Sequence, residues 1–246
     1  IGNFDATTSR GTVTISNMST SSGTNVYIGH NNSGRGLGKL TVSGVLTNNG
    51  TITVNRTIDN NSFIAGKIAG NGSIALNNST VLTLNSTNTA TWSTYTGTLT
   101  GNGTLKVTSN LYNNLNFGTG STIGTIEVPS GCCIRFARGG DGTLSCTNVS
   151  VTGGSLHAGI DTGGNGTINA TSGSISSGEI ILAISSTASA TFNCTGTFSQ
   201  SGGTLTIGMQ GVGTSTIGTY NLTGGTLKIG NFDATTSRGT VTISNM

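Results

Sequence analysis

Apolar and polar residues alternate with a period of two in many short segments of this 246-residue chain. Most segments read Gly, then Thr or Ser, then an apolar residue, a variable residue and a second apolar residue. Successive side chains of a β-strand point to opposite sides, so this alternation predicts half-buried strands. The segments lie at residues 11–15, 38–42, 50–54, 72–76, 103–107, 124–128, 142–146 and 166–170.

Asn-Gly pairs stand directly before several of these segments, at residues 49–50, 71–72, 102–103 and 165–166. Both residue types adopt positive φ at low cost, which is typical of turns. No segment carries a convincing helical period. The chain is therefore predicted to be all-β, with a corner before each such strand.

The strand segments recur at a short interval. Those that begin at residues 196, 218 and 239 are 22 and 21 residues apart, and those at 103, 124 and 142 are 21 and 18 apart. A unit of that size cannot bury its own apolar side, so its stability has to come from stacking on neighbouring units. We predict a parallel β-solenoid (β-helix) of about 10–13 coils in 228 residues, a rod of roughly 50–60 Å at about 4.8 Å per coil. Its inward positions would include Val13, Leu40, Ile52, Leu105, Ile126 and Leu144.

The sequence IGNFDATTSRGTVTISNM occurs twice, as residues 1–18 and as residues 229–246. Such identity at a fixed distance is typical of a tandem array of near-identical repeats. We interpret residues 1–228 as one repeat of the solenoid and residues 229–246 as the start of the next identical repeat. The partner implied by this interpretation is the chain itself, in covalent or end-to-end continuation, with lateral bundling as a further option.

Composition limits the classes of function. Charged residues make up 7% of the chain, against roughly 25% in typical soluble proteins. The formal net charge is +3 and the basic residues are scattered, so no nucleic-acid interface is indicated. No run approaches the roughly 18 apolar residues of a membrane span. Sandwich domains of about 100 residues with aromatic cores are the competing architecture, but the aromatic content of 5% favours the solenoid.

Two segments, GTFSQSGGTLTIG at 196–208 and GTYNLTGGTLKIG at 218–230, resemble the autotransporter-associated β-strand repeats of very long bacterial surface proteins. The similarity is clear over about residues 190–246 and 1–54. It implies a β-helical stalk, displayed on the cell surface or secreted. We therefore expect a structural extracellular protein that forms a stalk or filament.

Two further hypotheses concern the outer surface. An adhesin would contact surface carbohydrate or another surface through outward Thr, Asn and aromatic side chains, for which residues 91–95 and 111–117 are the candidates. Ice binding would use outward threonine pairs such as Thr12/Thr14, Thr51/Thr53 and Thr204/Thr206. The irregular coil lengths argue against a flat threonine array.

Four cysteines are present. The alternation places Cys132 inward and Cys133 outward, and Cys146 and Cys194 follow inward residues, as buried apolar cysteines do. An extracellular location would permit a candidate disulfide from Cys132 or Cys133 to Cys146. No Cys-x-x-Cys or Cys/His spacing indicates zinc, and we expect neither metal nor cofactor.

Enzymatic activity is not expected, because the acidic residues are few and far apart in the sequence. Stacking of coils could bring Glu127 near Asp141, and hydrolytic β-helix enzymes need two carboxylates close to each other. Ser155, His157 and Asp161 form the one local set that could suggest nucleophilic catalysis, and a solvated histidine is the simpler interpretation.

Glycine-rich turns at 139–142 and 163–166 resemble calcium-binding β-roll repeats, but leucine and isoleucine occupy the ligand positions, so these glycines are predicted to be corners. Asn-x-Ser/Thr sequences mark candidate glycosylation sites. Asn-Gly-Thr at 49, 102 and 165 is a by-product of the corners. The sites considered are Asn17, Asn31, Asn55, Asn85, Asn148, Asn169, Asn193 and Asn221.

Overall fold

The computed structural model describes residues 1, 9–30, 36–59, 62–85, 93–108, 112–230 and 236–246. The structure is 70% strand with no helix in these ranges, and its parallel strands stack as a β-solenoid of about 9 turns. The predicted fold class is thus confirmed. The strands are β1 (Arg10–Ile15), β2 (Met18–Thr20), β3 (Asn25–Ile28), β4 (Leu37–Asn48), β5 (Thr51–Val54), β6 (Phe63–Gly70), β7 (Ser73–Leu76), β8 (Val81–Leu84), β9 (Ser93–Tyr95), β10 (Thr98–Gly101), β11 (Thr104–Val107), β12 (Tyr112–Leu115), β13 (Ser121–Pro129), β14 (Cys133–Arg138), β15 (Asp141–Ile160), β16 (Asn165–Leu182), β17 (Ser189–Gln200), β18 (Thr204–Ile207), β19 (Val212–Leu222), β20 (Thr226–Ile229) and β21 (Arg238–Asn245).

Each turn passes through three columns of parallel pairing, which we call faces A, B and C. Face A contains β3, β5, β7, β10, β21 and the first parts of β13, β15, β16, β17 and β19. Face B contains β1, β8, β11, the first parts of β4 and β6, and later parts of β13, β15, β16, β17 and β19. Face C contains β2, β9, β12, β14, β18, β20 and the last parts of β4, β6, β15 and β16.

The core fills the space between the three faces with aliphatic and aromatic side chains. Every residue predicted to point inward is buried or packs against this core. They do not form one ladder, however. Val13, Leu40, Leu105 and Ile126 belong to face B, where Phe63 and Leu82 complete the stack. Ile52 and Leu144 belong to face A.

The coils are longer than the sequence spacing predicted, and one period therefore holds fewer of them than 10–13. Most pairs join residues 22 to 25 positions apart, such as Thr51 with Ser73 and Thr98 with Ser73. The extremes are 19, from Phe63 to Leu82, and 28, from Met18 to Leu46. The coil length predicted from the sequence was too short because strand segments were counted without regard to face. For example, residues 124 and 142 begin segments on two different faces, B and A.

The two identical segments lie on different faces. The strand RGTVTI pairs as β1 on face B with residues 37–42, and as β21 on face A with residues 212–217. Face B contains successive rungs from β1 to the end of β19, after which β20 on face C and β21 on face A follow. One period of the sequence is therefore not a whole number of turns.

Polar side chains are also buried inside the solenoid, and several of them form local hydrogen bonds. Thr20 Oγ1 donates to Asn48 Oδ1 (2.6 Å), and Asn48 Nδ2 donates to the Ser73 carbonyl (3.0 Å). Two coils beyond Asn48, the Tyr95 hydroxyl donates to the Gly72 carbonyl (2.7 Å). A Cβ at Gly97 would lie 2.6 Å from the Tyr95 ring, so this turn requires glycine. In the described ranges, no helix is long and apolar enough to cross a membrane.

Candidate functional site

The outer side of face A is a regular surface of the solenoid. Its outward side chains form two columns, because every second residue of each strand faces out and the rungs are in register. One column contains Asn25, Thr51, Ser73, Thr98, Thr143, Thr167, Thr191, Thr214 and Thr240. The other contains Tyr27, Thr53, Ala75, Thr100, Thr122, Ser145, Asn169, Asn193, Thr216 and Thr242. None of these described side chains is charged or fully buried.

Charged groups lie at the rim of these columns. Along the corner beside face A, Asn165 Nδ2 donates to Asp141 Oδ1 (2.8 Å) and Ser189 Oγ donates to Asn165 Oδ1 (2.6 Å). Arg238 continues the same corner column after Val212. The rim is polar and in part charged, whereas the two columns inside it are neutral.

The outer sides of faces B and C differ from face A in charge. On face B, Lys106 Nζ lies 2.6 Å from Glu127 Oε1 in the next coil, and both side chains are about one third exposed. Face C places Arg135, His157 and Glu179 in consecutive coils. The three faces therefore offer different chemistry although they share one core.

Ser155 and His157 lie on the same outward side of face C, as predicted, and both contact a residue that the sequence did not indicate. Ser155 Oγ donates to Glu179 Oε1 (2.9 Å), and His157 Nε2 is 2.9 Å from the same oxygen. Burial lowers the pKa of His157, against the hydrogen bond and the charge of Glu179. The carboxylate thus lies between the hydroxyl and the imidazole, and no hydrogen bond joins Ser155 directly to His157 in the geometry described. This is not the serine, histidine, acid order in which the histidine activates the hydroxyl.

The two other acid groupings considered from the sequence are not formed. Asp161 pairs with Arg138 instead of joining His157. Glu127 faces out from face B, whereas Asp141 lies at the corner of face A, so the two carboxylates do not converge. Glu179 contacts Ser155 and His157 because it lies one coil further along the solenoid, and the sequence alone did not define the length of that coil. Among the described residues, no group of three His, Cys, Asp or Glu side chains could hold a metal ion.

All four cysteines are free and buried. Cys132 belongs to the core cluster, as its inward placement predicted, and Cys133 faces out from face C. Burial raises the pKa of Cys133 to about 11 and that of Cys146 to about 12. Cys146 and Cys194 lie in the inward ladder of face A, separated by Ala170. The candidate disulfide from Cys132 or Cys133 to Cys146 is not formed.

The candidate glycosylation sites differ in exposure. Asn17, Asn85 and Asn221 are exposed. Asn148, Asn169 and Asn193 are half-buried on the outer surface. The Asn55 side chain is buried, with its Oδ1 accepting from Asn77 Nδ2 (2.9 Å), so it has no room for a glycan. Asn31 lies outside the described residues.

The surface motifs named from the sequence are placed as follows. Thr12/Thr14 lies on face B, Thr51/Thr53 on face A and Thr204/Thr206 on face C. In the two segments considered for an outward aromatic strip, Tyr95 and Phe117 lie in the core. Residues 91–92 and 111 lie outside the described ranges.

The glycine-rich turns behave as corners. Gly139 and Gly163 have positive φ, at 62° and 75°. The outward Asp141 that follows the first turn pairs with Asn165 after the second. The sequence-based interpretation of these glycines as corners agrees with this geometry.

These features define a three-faced parallel β-solenoid with two neutral, threonine-rich columns on face A, a partly charged rim beside them, and charged side chains on faces B and C. No protein-family model, curated protein or solved structure matches the chain.

Proposed function

We propose that this protein is a structural extracellular protein, in which a long β-solenoid of tandem repeats forms a stalk or filament. The observation that carries the proposal is the pairing of the two identical segments. As β1, the sequence RGTVTI uses one edge to pair with residues 37–42 of the following coil. As β21, the same sequence uses the opposite edge to pair with residues 212–217 of the preceding coil.

In a tandem array one copy of this strand would use both edges at once. Residues 212–217 of one repeat would lie on one side and residues 37–42 of the next repeat on the other. Continuation at this strand would therefore use only pairings that the single chain already contains. It would also pair strand edges that are otherwise open, and open edges favour aggregation.

Apolar burial supports the same continuation. Val13 and Ile15 at one end, and Val241 and Ile243 at the other, are only partly buried although they pack against the core. A further coil at either end would cover them, at roughly 25 cal/mol for each Å² of apolar surface removed from water.

Consecutive repeats in such an array would be rotated. From β1 on face B to β21 on face A, the chain completes nine turns and then passes through two further faces, C and A. Each repeat would therefore begin one face away from the start of its predecessor. At about 4.8 Å per turn, one repeat would add about 46 Å of rod. The same surface would return to the same side after three repeats.

Electron microscopy of three repeats in series, followed by residues 229–246, tests this proposal. We expect a straight rod of about 140 Å, longer than the single 246-residue chain by about 46 Å for each added repeat. Separate compact bodies joined by flexible links, or a length that does not grow with repeat number, would contradict it.

The extracellular or cell-surface location is part of the proposal and rests on the resemblance to autotransporter-associated repeats. Labelling of intact cells with an antibody to the chain tests it. Signal that appears only after permeabilisation would contradict a surface location.

An adhesin remains the second candidate, in which the rod contacts carbohydrate or another surface. The observation that favours it is the neutral array on face A, because charge-free polar faces lose less hydration on contact than charged ones do. Retention of the chain on insoluble polysaccharide, abolished by substitution on face A but not on face B, is the expected result.

A further inference from the structure

We propose that face A binds ice, with its two outward columns holding a layer of ordered water that joins the ice lattice. This inference concerns the surface of a single repeat and does not require the tandem array.

The first argument is the two-dimensional spacing of the hydroxyl groups. Outward residues within a strand are about 6.7 Å apart, and rungs are about 4.8 Å apart. Both spacings recur along face A from β3 to β10 and from β15 to β21, where neighbouring rungs pair in register. Between these two stretches Thr100 pairs with Thr122, and Gly120 leaves the other column without a side chain at that rung. Threonine occupies both outward positions in the rungs 51/53, 98/100, 214/216 and 240/242.

The irregular coil lengths do not disturb this array. Successive rungs of face A are separated by 26 residues from Asn25 to Thr51, by 22 from Thr51 to Ser73 and by 25 from Ser73 to Thr98. The extra residues lie at the corners and on the other two faces. The sequence-based objection to a flat threonine array is therefore removed, because length varies outside the face that carries the array.

The second argument is the chemistry of the side chains. A threonine hydroxyl both donates and accepts hydrogen bonds, and its branched side chain has few rotamers. The methyl group beside it cannot hydrogen-bond, so water forms a cage around the methyl group. A hydrogen bond to the hydroxyl fixes the position of that cage. Contacts between rungs further restrain the columns: Ser73 Oγ donates to Thr51 Oγ1 (3.3 Å) and Asn193 Nδ2 donates to Asn169 Oδ1 (2.9 Å).

The third argument is the contrast with faces B and C. The described side chains of the two columns on face A carry no charge, whereas faces B and C carry Lys106, Glu127, Arg135 and Glu179. An ionised group binds its own water strongly and imposes an orientation on it. A neutral face is the one on which water can adopt the order of a crystal.

Ordered water fits this face better than the alternative occupants. Carbohydrate sites place aromatic rings against sugar rings, and Tyr27 at one end is the aromatic side chain among the described columns. A second copy packed face to face would need large apolar side chains to make an interface core. The columns instead consist mainly of small hydroxyl-bearing residues.

Thermal hysteresis and ice-crystal shape, measured on the 246-residue chain, test the proposal. Thr167→Lys introduces a charge inside the array, between Thr143 and Thr191. Ser174→Lys is the matched control, since it introduces the same charge on the outer side of face B in the same strand, at a similarly half-buried position. Circular dichroism and thermal melting verify that both variants remain folded.

We expect the native chain to depress the freezing point and produce faceted crystals. Thr167→Lys should lose most of this activity, and Ser174→Lys should retain it. Absence of hysteresis and of shaping in the folded native chain would overturn the proposal, as would equal loss in both variants. Retention on crystalline polysaccharide without any effect on ice, or dimerisation that Thr167→Lys abolishes without any effect on ice, would assign face A to that occupant and also overturn it.

Discussion

Two buried serines on the same inward ladder should respond to replacement by alanine with opposite signs. Ser121 Oγ donates to the Gly118 carbonyl (2.8 Å) and accepts from the Leu99 amide (3.1 Å). Ser215 Oγ is also buried, but it has no hydrogen-bond partner among the described residues. Both side chains lie on face A, so the pair compares a satisfied hydroxyl with an unsatisfied one in a similar setting.

The expected magnitudes follow from these partners. Ser121→Ala leaves the Leu99 amide without its hydrogen-bond acceptor and removes one of the two donors to the Gly118 carbonyl, which costs about 1–3 kcal/mol of unfolding free energy. Ser215→Ala removes an unsatisfied polar group and should increase the unfolding free energy by about 1 kcal/mol. The cavity term is small in each case because only one oxygen atom is removed.

Local measurement is needed, because the coils of a solenoid unfold in part independently of one another. Native-state hydrogen exchange at the amides of Leu99 and Ile217, together with urea denaturation, reports each site. Exchange near Ser121→Ala should accelerate, and exchange near Ser215→Ala should slow. If both variants lost stability by similar amounts, hydroxyl satisfaction would not explain the energetics of this ladder.

Three further predictions concern buried groups. Tyr95→Phe should lower the unfolding free energy by about 1–2 kcal/mol, because the hydrogen bond from the buried Tyr95 hydroxyl to the Gly72 carbonyl is lost. Tyr27→Phe, at a 49% exposed position, should be neutral. Urea midpoints measure both effects. Burial raises the pKa of Tyr95 and of Tyr220 to about 12 from 10.0. The stability that the two neutral hydroxyls contribute is therefore fully present below pH 10 and is lost as the pH rises through 12. Denaturation midpoints should decrease across this range, and a constant midpoint would contradict the prediction. The Cys146 thiol, buried and with its pKa raised to about 12, should resist a thiol reagent until the chain unfolds; rapid labelling of the folded protein would disagree with its inward position.

Several features of this protein were determined by the sequence itself. The period of two in segments such as 103–107 placed Leu105 inside the solenoid and Lys106 outside it, and the structure confirms both. The corners marked by Asn-Gly and Gly-Gly were equally local. Alternation and turn chemistry depend on neighbouring residues only, and they were sufficient to predict an all-β solenoid with its inward residues.

The tertiary structure decided which strands stack and on which face. A parallel pair in this fold joins residues 19 to 28 positions apart, and no local signal marks the partner. The grouping of threonines on face A, the Glu179 contacts of Ser155 and His157, and the placement of one sequence on two faces all depend on that long-range register. Alternation determines which side chains point inward and which point outward, whereas the position of a strand around the solenoid depends on the lengths of all the preceding corners.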